Sequence, residues 1–269
     1  MKIDAILSPA ELPALARRDL RDTACVVFDV LRATSTFVTA LHNGAKAVIP
    51  VAEISEALAI RQKQPGVLLG GERDGVKIRA PQTGGGDFDL GNSPREYTPE
   101  KVRGKPIVST TTNGTRALRA CAGAQTVLAA SFLNLTATAK FVWQLRPAEV
   151  LLVCAGTREN IATEDVLAAG ALCEILDAPL APSLSPPKRG EGVRRTGEGF
   201  VQMTDSAEIA RREYAQAKSD LLATVRTSEN ARRLLAIPEL RDDVAFCLRQ
   251  DVFNLVAVLG RDGTIRVAT

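Results

Sequence analysis

The apolar positions of the chain fall into short runs that alternate with stretches of helical spacing. Lys2–Leu7 alternates polar with apolar and predicts a first strand, and Ala10–Arg18, with Pro9 near its start, predicts a helix. Ala24–Phe28 is a continuous apolar run, the pattern of a strand buried on both faces. From Thr34 to about His42, Phe37, Val38 and Leu41 form one helical face, and Asn43-Gly44 stops it. A strand over Ala47–Val51, a helix over Ile54–Lys63 and a strand over Val67–Leu69 follow, the last running into Gly70-Gly71-Glu72-Arg73. Further strands are expected at Pro106–Ser109, Val127–Ala129 and Val150–Cys154. Helices are expected after the first of these to about Cys121, at Asn134–Gln144, and from Thr163 to Leu176. This alternation predicts an α/β fold, a mainly parallel or mixed sheet covered by helices. In such sheets the reactive residues lie beyond the carboxyl ends of the strands.

Two stretches break the rhythm. Asp74–Tyr97 reads as a long irregular loop holding Gly84-Gly85-Gly86 and then the more specific run Phe88–Pro94. Ala178–Phe200 is rich in Pro, Gly and Arg, has little to bury, and is expected to be a loosely ordered insertion in a single domain spanning 1–269. Beyond it, Asp205–Val225 predicts one long helix, and Ser228–Leu235 and Glu239–Leu248 predict shorter ones. Val252–Leu259 and Ile265–Val267 predict closing strands joined at Arg261-Asp262-Gly263.

Composition narrows the chemistry. Lys and Arg number 34 against 31 Asp and Glu, a net +3 that is too balanced to argue for a nucleic-acid partner, and aromatics at 4% leave few surfaces for base stacking. The cysteines Cys25, Cys121, Cys154, Cys173 and Cys247 form no C-x-x-C pair and sit largely in apolar runs, as free thiols in a reducing compartment would. Met1-Lys2-Ile3-Asp4 has no apolar signal core, and no apolar run is long enough to span a bilayer. A cytoplasmic protein without a membrane partner is therefore expected. The single histidine, His42, excludes Ser-His-Asp triads, histidine-phosphatase chemistry and multi-histidine metal sites. No P-loop motif occurs, no strand is followed by G-x-G-x-x-G, and no cysteine has an arginine six residues on. Asp87-Phe88-Asp89 resembles the paired aspartates of haloacid-type phosphatases, yet it follows glycines where those follow an apolar strand.

What remains is a set of strand-end turns rich in hydroxyls, each with an arginine. Asp29, at the end of the Ala24–Phe28 run, precedes Arg32, Thr34 and Ser35. Thr111, Thr112, Asn113, Gly114 and Arg116 follow the Pro106 strand, and Arg158 follows the Val150 strand. Glu72 and Arg73 close another. Arginine grips phosphate through two parallel hydrogen bonds, and hydroxyls and first-turn N–H groups take the remaining oxygens. Asp29 and Glu72 are candidate ligands for a divalent cation such as Mg²⁺, which prefers carboxylates, water and substrate phosphate; Asp29 could equally attack phosphorus. The first turn also suits a simpler arrangement, helix-capping hydroxyls beside an Asp29–Arg32 ion pair.

Taken in order, Asp29–Thr36, Gly70–Arg73, Phe88–Pro94, Thr110–Arg116 and Val153–Gly156 resemble the ComB-type 2-phosphosulfolactate phosphatases, and the likeness extends through Glu164-Asp165 to Gln250-Asp251-Val252. The resemblance implies a fold distinct from the common phosphatase folds and a Mg²⁺-dependent hydrolysis of phosphosulfolactate to sulfolactate and phosphate, a step toward coenzyme M. The strand-end positions make Asp29, Arg32 and Glu72 the expected catalytic residues, Asp29 and Glu72 also binding the metal. Thr34, Ser35, Arg73, Asn92, Thr111, Thr112, Asn113, Gly114, Arg116 and Arg158 would hold a small polyanionic substrate. Two departures from the family pattern are Ala80–Gly86 and Ala178–Phe200. The residues themselves leave two alternatives open, a phosphatase for another phosphorylated hydroxy acid and a non-catalytic binder of phosphorylated metabolites. A two-fold homodimer is compatible with a chain of this size.

Overall fold

A computed structural model describes residues 1–178 and 201–268. The Pro/Gly/Arg-rich stretch of the sequence, all but Ala178, lies outside the described residues. The strands are β1 (Lys2–Ile6), β2 (Thr23–Phe28), β3 (Ala47–Val51), β4 (Leu68–Arg73), β5 (Val76–Lys77), β6 (Pro106–Thr110), β7 (Thr126–Ala130), β8 (Glu149–Cys154), β9 (Gln202–Met203), β10 (Ala257–Leu259) and β11 (Ile265–Val267). The helices are α1 (Ala33–His42), α2 (Ile54–Lys63), α3 (Ala80–Thr83), α4 (Pro99–Val102), α5 (Gly114–Ala120), α6 (Leu135–Leu145), α7 (Thr163–Asp177), α8 (Asp205–Ala217), α9 (Leu221–Arg226), α10 (Glu229–Leu235) and α11 (Arg241–Cys247). The helix expected over Ala10–Arg18 is a 3₁₀ helix, Pro9–Arg17, capped by Ser8 and containing Pro13, which has no N–H for an α-helical ladder.

All the strands join one mixed, mostly parallel sheet in the order β5-β4-β6-β3-β11-β10-β7-β2-β8-β1-β9. One parallel block is β4-β6-β3 and the other is β7-β2-β8-β1-β9. The antiparallel hairpin β10–β11 stands between them and pairs antiparallel with each. Three antiparallel steps reverse direction, so the two blocks run in opposite senses. In a flat sheet their carboxyl ends would lie on opposite edges. Here the sheet wraps around α1 and α5. Phe37, Val38 and Leu41 of α1 and Leu118 of α5 share one core with Val27 and Val127 from the first-strand side and Val48, Ile107 and Ile265 from the other. That wrapping brings the end of β2 against the end of β6.

The continuous apolar run of β2 is explained by its place. Every residue of Thr23–Phe28 is buried, with α1 and α5 on one face and α6 and α7 on the other. Opposite the α1 core, α7 and α8 pack so closely that a Cβ on Gly170 would stand 2.0 Å from the Ala210 carbonyl oxygen. Asp205–Val225 is not one helix. It breaks at Lys218–Asp220, where the Asp220 side chain accepts the Ala223 N–H and caps α9. The expected strand Val252–Leu259 is regular only over Ala257–Leu259; before it, the Phe253 N–H goes to the Leu133 carbonyl, ahead of α6. Within the expected loop 74–97, β5 and α3 form. Asp87 accepts from Arg79 and the Ala80 N–H, and Asp89 is tied to Arg61 and the Leu69 N–H, so these two aspartates serve the loop. The cysteines are free and buried, and no helix among the described residues is long and apolar enough to cross a membrane.

Candidate active site

The turn after β2 is built by its own hydroxyls. The Thr34 side chain receives the Asp29 N–H at 3.0 Å and donates to the Asp29 carbonyl, and Ser35 donates to the Val30 carbonyl at 2.8 Å. Both hydroxyls are fully buried, so they shape the turn and do not face the cleft above it. Thr36 donates to the Asn92 carbonyl and fastens the Phe88–Pro94 segment to α1. These bonds hold the Asp29 carboxylate at the helix start, where Oδ1 accepts the Ala33 N–H at 3.0 Å.

Arg32 does not pair with Asp29. Its Nη1 donates to Asp243 Oδ2 at 2.8 Å and its Nη2 to the Gly75 carbonyl at 2.6 Å, while Ser93 donates to the other Asp243 oxygen. A salt bridge buried at both ends thus ties the first turn to α11, to the β4–β5 turn and to the Asn92 segment. The simpler sequence reading, an Asp29–Arg32 pair, gives way because the Asp243 carboxylate, from the far end of the chain, takes the Arg32 guanidinium.

Glu72, at the end of β4, clasps the turn after β6. Oε1 accepts the Thr112 N–H and hydroxyl, both at 3.0 Å, and Oε2 accepts the Gly75 N–H at 2.7 Å. Gly71, with φ of +147°, lets β4 approach closely. A Cβ there would stand 2.2 Å from the Thr110 carbonyl oxygen. At the start of α5, Gly114 allows an equally close approach to the first turn, since its Cβ would lie 2.7 Å from Asp29 Oδ2 and 2.8 Å from the Ala33 Cβ.

Asp29, Arg32, Glu72, Asn92, Thr112, Asn113 and Arg158 line one cleft. Gly114 stands behind Asp29. Thr111 is buried and its hydroxyl lies 3.3 Å from that of Thr115. Arg73 is spent on the carbonyls of Glu72 and Ala52 and on the Thr110 hydroxyl, outside the cleft lining. Arg116 lies on the surface in a 2.7 Å pair with Glu159 and is also absent from the cleft. Two residues turn a helix by about 200°, so with Gly114 inward at the start of α5, Arg116 faces outward. His42 stacks on Phe253 at the other end of α1, 4.0 Å between ring centres. Burial and the nearby Asp165 push the Cys154 thiol well above its ordinary value, away from the thiolate that a nucleophile needs.

Several cleft residues were not singled out from the sequence. Thr157 follows β8, and Asn230, Arg233 and Leu234 come from α10. Beneath them, Asn230 donates to Thr157 Oγ1 at 2.6 Å and to Glu164 Oε1 at 2.7 Å. Asp165 staples two strand ends, accepting the Val30 N–H at 2.8 Å and the Gly156 N–H at 3.0 Å. The sequence signal was present in the adjacent acids Glu164 and Asp165 just past the third turn, but a first-turn acid pair has an ordinary explanation in the helix dipole.

The oxygens here suit a hard divalent cation. Burial pushes the Asp29 carboxyl up to about 7, and the charges of Glu72 and Glu164 push the same way, against the N–H groups of Ala33 and Gly114. Glu164 is likewise raised by burial. Asn92 Oδ1 and Glu164 Oε2 are buried without a hydrogen-bond partner. Clustered acids beside orphaned oxygen acceptors lack a positive partner that a cation would supply. Among the described residues no three His, Cys, Asp or Glu side chains form a ready-made metal cage. Mg²⁺ in particular does not need one, since it keeps waters and substrate oxygens in its shell.

The 2-phosphosulpholactate phosphatase family model matches residues 9–262. Among curated relatives, the "Probable 2-phosphosulfolactate phosphatase" of Thermotoga petrophila is 38% identical over 257 residues, covering 96% of this chain and 95% of its own. The protein of the same name from Carboxydothermus hydrogenoformans is 40% identical over 257 residues, 95% of this chain and 92% of its own. That from Caldanaerobacter subterraneus is 37% identical over 253 residues, 93% of each.

Proposed function

From the premise that this chain belongs to the 2-phosphosulpholactate phosphatase family, we propose that it is a Mg²⁺-dependent phosphoric monoester hydrolase that converts 2-phosphosulfolactate to sulfolactate and phosphate. The observation that carries this reading is the Asp29 carboxylate. It is buried at a strand end and lines the same cleft as Glu72 and Asn92, whose Oδ1 is orphaned.

In this reading Asp29, Glu72 and Asn92 Oδ1 are the protein oxygens that would hold the cation. Bound there, Mg²⁺ would neutralise charge on the phosphoryl oxygens. The chain supplies the frame. The Glu72–Thr112 clasp fixes the walls from β4 and β6, and Asp165 fixes the ends of β2 and β8. Arg158, at the mouth, offers a guanidinium to an anion. Arg32 serves differently from the sequence expectation. Held by Asp243, it orients the first turn at the cleft lining.

Phosphate release from 2-phosphosulfolactate and from a panel of phosphorylated hydroxy acids, with Mg²⁺ and with a chelator, tests the reading. Turnover that is highest on phosphosulfolactate and abolished by chelation is expected. Preference for another hydroxy-acid phosphate would reassign the substrate, and absence of turnover on the whole panel would end the enzymatic reading.

A further inference from the structure

The cleft contains three cations, Arg32, Arg158 and Arg233, and they are not equivalent. Arg32 is buried and committed to Asp243 and the Gly75 carbonyl. Arg158 makes no salt bridge among the described residues; its backbone is held by the Asn113 side chain, which accepts its N–H at 3.3 Å. The only ion pair of Arg233 among those residues is with Glu229 on its own helix, at 3.1 Å, with Arg233 33% and Glu229 52% exposed. Exposed pairs of this kind are weak and exchange readily for a better acceptor.

The frame around Arg158 and Arg233 is fixed by part-buried hydrogen bonds. Asn230 is locked to Thr157, the residue before Arg158, and to Glu164. Arg233 lies three residues beyond Asn230, one helical turn along the same face of α10. Its aliphatic stem lies against the β4–β5 turn, where a Cβ on Gly75 would be 3.7 Å from Arg233 Cδ. The Arg158 fork, with no ion pair among the described residues, and the Arg233 fork, held only by Glu229 of its own helix, therefore flank the Asn230–Thr157 contact where α10 meets the turn after β8. The carboxylates that would hold a cation, Asp29 and Glu72, come from other elements.

We propose that Arg233 and Arg158 form a second anion subsite that grips a carboxylate or sulfonate of the substrate while the phosphoryl group lies at Asp29 and Glu72. This rests on the phosphatase reading of the cleft and deepens it by assigning substrate specificity to α10. The proposed substrate has two anionic groups besides its phosphoryl group. A chain that commits Arg32 and Arg73 internally and leaves Arg116 outside has these two forks to receive them.

The test compares kcat/KM for 2-phosphosulfolactate with kcat/KM for phenyl phosphate, a monoester with no second anion. Losing a two-point, charge-assisted grip lowers affinity by about 10- to 100-fold, so R233Q lowers the ratio of the two by that order. R233K, which keeps the charge but loses the fork, falls between. R232Q removes the same charge from the exposed face of α10 and keeps the wild-type ratio. An unchanged ratio in R233Q, whether both substrates suffer equally or neither does, overturns the subsite while leaving the phosphatase reading intact. Calorimetric titration with sulfolactate reads the subsite without turnover. Binding at least about tenfold weaker in R233Q than in the wild type supports it even if the wild type hydrolyses neither ester. Absent or equal binding with no turnover overturns both.

Discussion

Arg32 and Asp243 are 211 residues apart in sequence and form a 2.8 Å ion pair buried at both ends. Asp243 also accepts from Ser93, so a single carboxylate joins α11, the first turn and the Asn92 segment. Removing one member of such a pair strands the other charge away from water. D243N is therefore expected to lose about 3–5 kcal/mol of stability, the usual cost of breaking a buried pair. Combining it with R32M should recover part of that loss, since no charge is left unpaired. Urea unfolding of both variants checks this, and a double variant no more stable than D243N would show that the guanidinium's bond to Gly75 matters more than its charge.

A second prediction concerns Gly114. An alanine there places its Cβ 2.7 Å from Asp29 Oδ2 and 2.8 Å from the Ala33 Cβ. Ala33 is fixed in the first turn of α1, so the Asp29 carboxylate must move. G114A should cost about 1–3 kcal/mol from overpacking and reduce turnover by more than tenfold, with the larger effect on kcat. Unchanged kcat would mean that the position of Asp29 is not critical.

The regular α/β alternation and the carboxyl-end placement of Asp29 and Glu72 were legible because a buried strand and an amphipathic helix each leave a local period in the sequence. The reversal between the two parallel blocks was not legible. It depends on the short β10–β11 hairpin, which pairs with β3 at the single register Ile265↔Val48. The α10 wall was hidden for a similar reason. Asn230 and Arg233 sit in an ordinary polar helix, and only its long-range contact with Thr157 turns that face inward. Thr34 and Ser35 illustrate the opposite error. Hydroxyls at a helix start read as ligands for an anion, but local backbone groups claim them first.

Arg116 gives a third prediction. Its partner is Glu159 and both side chains are substantially exposed. Exposed pairs contribute about 0–1 kcal/mol. R116A should keep near-wild-type kinetics and melt within a few degrees of the parent protein, whereas R158A should raise KM several-fold. Parallel steady-state measurements on the two variants separate the arginine at the cleft from the one outside it. Equal losses in both would place the substrate beyond the cleft described above.

Asp29 links metal, pH and stability in one measurable set. Its carboxyl ordinarily titrates near 3.8 and is raised to about 7 in the metal-free fold, chiefly by burial. Below the lower value it is protonated whether the chain is folded or not. Between the two values the folded chain keeps a proton that the unfolded chain has released. The stability this group contributes is thus full at low pH, declines as pH rises through that window, and is gone above about 7. A cation held by the ionised carboxylate must displace the proton, so its apparent affinity should weaken by about tenfold from pH 8 to pH 6. The Mg²⁺-induced rise in Tm should accordingly be larger at pH 8 than at pH 5.5. D29N removes the titration, flattens that difference and lowers turnover by at least about 10²-fold, the scale of one lost electrostatic contact at a reacting phosphoryl group. Partial recovery of D29N at high Mg²⁺ would mark the carboxylate as a ligand, and none would favour attack by Asp29 itself. A Mg²⁺-induced Tm shift identical at both pH values in the wild type would exclude Asp29 from the metal's shell.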